Sequence, residues 1–164
     1  MQRLNALLPQ VALNGVQGAE ISYVNITSNW YLDPKSKELM EPHNTDGIDP
    51  GGGSSEIHIH DVTIHNGDDS VAVKPHGEDS GCTRNILVEN CRFENGHGCS
   101  IGSVGEGCVE NVLFRNITMI NQENGCRVKT YSEGAGHVRA FFHERLCFGR
   151  MFFVEGERPS CVHR

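Results

Sequence analysis

The sequence predicts an all-β chain wound as a right-handed parallel β-helix of about five coils. Three observations predict it. First, one template of alternating apolar residues recurs, at Ile21-Ser-Tyr-Val-Asn25-Ile26-Thr, Ile57-His-Ile-His-Asp61-Val62-Thr, Ile86-Leu-Val-Glu-Asn90-Cys91-Arg and Val112-Leu-Phe-Arg-Asn116-Ile117-Thr. Its starts fall 36, 29 and 26 residues apart, the spacing of solenoid repeats that carry loops of unequal length. Second, the runs alternate with period two, and no segment between residues 20 and 130 sustains a helical period. Third, 19 glycines among 164 residues supply many turns per unit length.

Residues 1–19 are weakly patterned and end in the turn-like Asn14-Gly15 and Gly18. The β-helical core is expected over 20–136. Each coil stacks on the last at about 4.8 Å, so equivalent residues form columns. One inward column reads Ile26, Val62, Cys91, Ile117, preceded by the short polar corner residues Asn25, Asp61, Asn90 and Asn116. A second reads Ile48, Val71, Ile101, Val128, and two residues before it stand Asp46, Asp69, Cys99 and Cys126. Residues 30 to 43 read as a loop leaving the coil, placed to form one wall of a cleft. Gly51-Gly52-Gly53-Ser54-Ser55 is a turn into a strand, without the lysine of a phosphate loop. Beyond Gly136 the template stops. The last 28 residues hold five of the seven phenylalanines, and the atypical tail 137–164 is expected to be a cap or a truncated or frame-shifted end, without a further coil.

A formal charge of −7 argues against nucleic acid as a partner. No stretch approaches the roughly 20 apolar residues of a membrane span, and the first residues lack the apolar run of a secretory signal. The seven cysteines show no paired CxxC spacing, and their odd number leaves a thiol unpaired within a monomer. Cys82 and Cys108 each precede a repeat start by four residues, which makes them stacked neighbours and predicts a disulfide. Cys91 reads as an inward apolar filler. His58, His60 and His65 lack a matching acid or cysteine set, so no metal site is expected. Asn25-Ile26-Thr27 and Asn116-Ile117-Thr118 match the N-glycosylation acceptor pattern, although asparagine in the corner column has a structural use as well.

Four polar clusters mark the same point of successive repeats: Asn44-Thr45-Asp46, Gly67-Asp68-Asp69, Gly96-His97-Gly98 and Arg127-Val128-Lys129. They bring three carboxylates, one imidazole and two cations to one face. Crowded carboxylates cannot all ionise easily, so at least one should rise in pKa and serve as a proton donor beside a base pair. That division of labour is what glycosidic cleavage needs. Arg127 and Lys129, alternate residues of one strand, suit a substrate carboxylate. The residues by themselves leave two other readings open: a calcium-dependent eliminase of the pectate-lyase kind, and a β-helix without catalysis.

In that order, and with Ser100-Ile101-Gly102-Ser103, the four clusters resemble the motifs of the polygalacturonases of glycoside hydrolase family 28. The resemblance spans about residues 20–139. It implies a parallel β-helix that hydrolyses the α-1,4 bonds of pectic galacturonan with inversion, without a cofactor, and outside the cell. It further implies Asp68 as general acid, Asp46 and Asp69 as the carboxylates that activate water, His97 as support for the acid, and Arg127, Lys129 and Asn44 as binders of the sugar chain. Departures from the pattern are Val128 for the commoner isoleucine, Ser70 for a frequent cysteine, and Ala140-Phe141-Phe142 where an asparagine-led strand would continue.

Overall fold

The computed structural model describes residues 9–29, 31–33, 35–40, 42–76, 81–149 and 160–162. Five strand layers are stacked. The first holds β1 (Val11–Asn14), β2 (Gln17–Ser22) and β3 (Asn25–Thr27). An insertion follows with a short antiparallel pair, β4 (Tyr31–Leu32) and β5 (Leu39–Met40). Trp30, Pro34 and Glu41 of the expected loop lie outside the described residues. The second layer is β6 (Ile48–Gly51), β7 (Ser55–His60) and β8 (Thr63–His65), and the third β9 (Asp69–Val73), β10 (Thr83–Glu89) and β11 (Arg92–Glu94). The fourth is β12 (Gly98–Val104) with the long β13 (Cys108–Ile120), and the fifth β14 (Cys126–Thr130) with β15 (His137–Gly149), against which β16 (Ser160–Val162) runs antiparallel.

Strands of successive layers pair in parallel. One sheet is ordered β1-β6-β9-β12-β14, and the other runs β2-β7-β10-β13, with β3, β8 and β11 leading to the far half of β13. The chain is thus a parallel β-helix, as the alternation predicts. Its interior is filled by columns of inward side chains: Ile57, Ile86 and Val112; Ile59, Val88 and Phe114; Ile64, Phe93 and Met119. All are buried, and burial of each such side chain is worth roughly 1.5–3 kcal/mol.

Corners within and between the strands are made by residues in the left-handed region. Asn85, Asn90, Asn95, Asn111, Asn116 and Asn121 all have φ between 51° and 55°, which asparagine tolerates better than most residues. Their side chains also bond along the stack: Asn111 Nδ2 to Asn85 Oδ1 at 2.9 Å, Asn116 Nδ2 to Asn90 Oδ1 at 2.7 Å, and Asn121 Nδ2 to Asn95 Oδ1 at 3.0 Å. Asn116→Ala is expected to cost about 1–2 kcal/mol through the lost bond and the left-handed backbone. Asn116→Gly should cost less. Urea unfolding of both variants checks this order.

Three expectations are corrected. The first template is out of register by two residues: Ala19 and Ile21 pair with Ile57 and Ile59, and Ile26 pairs with Ile64. The corner opposite Asp61 is therefore Tyr23 (φ 56°), and Asn25 is an exposed strand residue outside the corner column. A slip of two keeps every side chain on its face, so alternation could not detect it. The second column also divides. Ile48 pairs with Val71 and Ile101 with Val128, but a register shift after Gly98 sets Val71 beside Cys99 and Ile101 beside Val73. Finally, β15 lies in the tail expected to add no coil, yet it pairs with β13 from Cys108↔His137 to Ile120↔Gly149. Backbone pairing requires no asparagine template, and Leu146 supplies the buried residue opposite Ile117. Residues 150–159, 163 and 164 of the tail lie outside the described residues. At the other end, β1 and the first half of β2 lie in the segment 1–19 expected to be weakly patterned.

Candidate active site

Four successive layers contribute to one polar face of the five-stranded sheet. Asp46 stands two residues before β6, Asp68 just before β9 and Asp69 at its first position, His97 just before β12, and Arg127 and Lys129 within β14. The approach to β9 is a crowded corner. Buried Asn66 donates from Nδ2 to the carbonyls of Thr45 and Asp69, both at 2.9 Å. Thr45 Oγ1 donates to the Pro42 carbonyl at 2.9 Å and accepts from the Gly67 amide at 3.1 Å. A Cβ at Gly67 would collide with the Pro42 carbonyl, so only glycine lets the returning insertion pack here, directly before Asp68 and Asp69.

Asp68 accepts from the Asn44 amide at 3.1 Å on Oδ2 and from the Asp69 amide at 2.8 Å on Oδ1. His97 Nδ1 lies 3.1 Å from the same Oδ1, and the His97 amide donates to the Asp68 carbonyl at 2.8 Å. The other ring nitrogen lies 3.5 Å from Glu123 Oε2. His97 therefore bridges two acids. Asn44, with φ at 52°, meets Asp68 through its main chain.

Asp69 has a different environment. It has no solvent exposure, and it receives Ser100 Oγ at 2.6 Å and Arg127 Nη2 at 2.9 Å on Oδ1, and Lys129 Nζ on Oδ2. Burial pushes its carboxyl up, but the bonds from Lys129, Ser100 and Arg127 outweigh burial and hold it below the ordinary value. Arg127 Nε also donates to Ser100 Oγ at 3.0 Å. The two cations expected to meet a substrate are thus both committed to Asp69 in this state.

Asp46 accepts from Lys74 Nζ at 2.8 Å, and the same ammonium lies 3.5 Å from Asp49. The carboxyl that rises is Asp49, outside the three carboxylates expected to share that strain. Burial and then the like charge of Asp46 push it up to about 7, against the pull of Lys74. Asp49, Lys74, Ser100 and Glu123 are site residues that sequence reasoning missed. The signal for Ser100 was its place in the quoted Ser100-Ile101-Gly102-Ser103. Position 74 continues the alternation of buried Val71 and Val73 onto the outer face, which could have found the lysine.

One ligand atom each of Asp68, Asp69 and His97 lie within 4.8 Å of one another, close enough to hold a cation. The donors do not suit one: both Asp69 oxygens already face the protein's own cations, and Asp68 is bonded to two amides and a ring nitrogen. Elsewhere the predicted Cys82–Cys108 disulfide is formed, with Cα atoms 4.7 Å apart. Cys99 and Cys126 pair in register with free thiols, and Cys91 is buried in the interior.

Comparison with known proteins finds relatives in sequence and in fold. The chain is 36% identical over 134 residues to a probable endo-xylogalacturonan hydrolase A of Neosartorya fischeri, covering 79% of this chain and 30% of that protein. It is 35% identical over 145 residues to a polygalacturonase of Cochliobolus carbonum, covering 87% and 36%. Among solved structures, the polygalacturonase of Erwinia carotovora ssp. carotovora superposes with a TM-score of 0.71 at 32% identity, covering 86% of this chain and 34% of that one. The chain thus spans about a third of the length of these relatives. The sequence profile of glycosyl hydrolases family 28 matches residues 5–145, and the chain belongs to that family.

Proposed function

We propose that this chain carries the catalytic face of a pectin-degrading hydrolase that cleaves α-1,4-galacturonosyl bonds by inverting acid/base catalysis. The observation that carries the reading is the contrast between neighbouring carboxylates. Asp69 is pinned by two cations and a hydroxyl, whereas Asp68, partly exposed beside it, is held by amides and an imidazole. Two acids in unlike environments are the arrangement that divides a proton donor from a base.

In this reading Asp68 protonates the departing glycosidic oxygen, with His97 and the Asn44 and Asp69 amides fixing its direction. Asp46 and Asp69 activate the water. A galacturonate carboxylate would compete with Asp69 for Arg127 and Lys129, so binding of the anionic sugar would uncover the buried base. Asn44 contributes to the rim of the sugar site. The substrate class is a pectic polysaccharide, homogalacturonan or its xylosylated form, and no cofactor takes part. Action outside the cell is supported by the Cys82–Cys108 disulfide, a bond of oxidising compartments. The calcium-dependent eliminase is disfavoured because the chain's own cations already face Asp69.

The test is release of reducing ends from polygalacturonate and from xylogalacturonan by the purified chain, once with calcium added and once with chelator. Hydrolysis without ultraviolet-absorbing unsaturated product is expected. An unsaturated product dependent on calcium would establish the eliminase, and no release from either polymer would leave the β-helix without this activity.

A further inference from the structure

We propose that Lys74 and Asp49 are positioning residues for Asp46: Lys74 holds the Asp46 carboxylate toward its water, and Asp49 beneath shares the same cation. The inference rests on the hydrolase reading for the role of Asp46, and on independent geometry for the pair itself.

Lys74 follows β9 directly, and its backbone is fixed at both ends. Its amide donates to the Pro50 carbonyl at 2.8 Å, and its carbonyl accepts from Thr83 Oγ1 at 2.9 Å. From there the side chain reaches back one layer to Asp46 at 2.8 Å and Asp49 at 3.5 Å. The arrangement parallels Lys129, which reaches back across two layers to Asp69. Each expected base thus has its own lysine. Given Ile48↔Val71, Asp49 is next to Ala72 in the layer above, and Ala72 pairs with Ser100, which pairs with Arg127. Asp49 therefore shares an outward column with the groups that hold Asp69, separated from them by one methyl group.

Asp49 is buried, with Oδ1 lacking a hydrogen-bond partner among the described residues and Oδ2 near Lys74. A buried carboxylate with a bare oxygen is costly to ionise, and a neutral acid in that place is the cheaper form. Among the described residues, the titratable groups facing the cluster are Asp46 before β6, Lys74 after β9 and, more distantly, Asp69 of β9. Lys74 itself is disfavoured by burial, but the carboxylates of Asp46, Asp49 and Asp69 outweigh this and keep it charged. With Asp49 neutral, one cation serves one carboxylate and Asp46 keeps its place. As pH rises through about 7, Asp49 ionises and competes for Lys74, and the hold on Asp46 loosens.

Lys74→Met should lower kcat about 100-fold, the cost of a misplaced catalytic group, with KM changed less than about threefold. Asp49→Asn keeps the shape of the neutral acid. It should retain activity in mildly acid solution and carry it to higher pH than the natural chain. A rise in KM at unchanged kcat for Lys74→Met, or an unmoved alkaline limb for Asp49→Asn, overturns the proposal. Carbon-13 titration of the Asp49 carboxyl decides the same point without catalysis. Its midpoint should lie near 7, move down in Asp46→Asn as a like charge is removed, and move up in Lys74→Met as a cation is removed. A midpoint in the ordinary aspartate range overturns the proposal. An inactive natural chain that gives the expected titration would refute the hydrolase reading and leave the coupled cluster standing.

Discussion

On the proposed hydrolase reading, Asp68→Asn is expected to slow galacturonan cleavage by about 10²–10⁴-fold, the usual contribution of a positioned general acid, while the fold is retained. The amide keeps the size of the carboxyl, and its oxygen still accepts from the Asn44 or Asp69 amide that bonds Asp68 now. What it loses is the proton to donate. Asp69→Asn should differ in kind. It removes the counter-charge of Arg127 and Lys129, two cations that meet in the same small volume, and their mutual repulsion is then left uncompensated. Rate and stability should fall together. Initial rates on polygalacturonate beside thermal melting of both variants separate the cases, and loss of stability in Asp68→Asn equal to that in Asp69→Asn would remove the distinction between donor and base.

Breaking the Cys82–Cys108 link is expected to destabilise the chain by about 3–4 kcal/mol. The bond closes a loop over a sequence separation of 26, and loop-closure entropy for that length gives this figure. Against the roughly 5–15 kcal/mol of a typical domain this is a large fraction. The link joins the entry of β10 to the first residue of β13, so its loss loosens two central layers at once. Urea unfolding of the Cys82→Ser, Cys108→Ser double variant measures it, and a midpoint equal to that of the natural chain would contradict the estimate.

The parts of this molecule that were legible are those carried by short, local patterns. Alternation gave the strands, because inward residues such as Ile57, Val88 and Ile117 must be apolar wherever the chain stacks. The four clusters were legible because each gathers its chemistry within three residues. Cys82 and Cys108 were legible because both sit at one offset from repeats that are in register, Ile86 and Val112. What escaped depended on register or on single residues. Tyr23 occupies a corner where its counterparts are Asp61, Asn90 and Asn116, so a search for short polar residues moved the first template by two. The shift after Gly98 falls at a glycine with φ +87°, where a Cβ would collide with the carbonyls of Asn124 and Gly125. No apolar pattern records that. Asp49 and Lys74 stand 25 positions apart as lone charges, and only the stacking of β6 on β9 makes them neighbours. β15 was missed because its composition changes while its pairing does not.

In a stack of this kind each layer is protected only by the two beside it, so opening runs inward from the ends. Among the described residues, Asp68 and Asp69 lie at the middle of five layers, whereas Arg127 and Lys129 belong to the last described layer of their sheet. Amide exchange should therefore be slowest around β9 and faster along β14. On the proposed hydrolase reading, the acids of this segment would then keep their arrangement while Arg127 and Lys129 opened, and grip on an anionic polymer would be the more heat-sensitive half of its action.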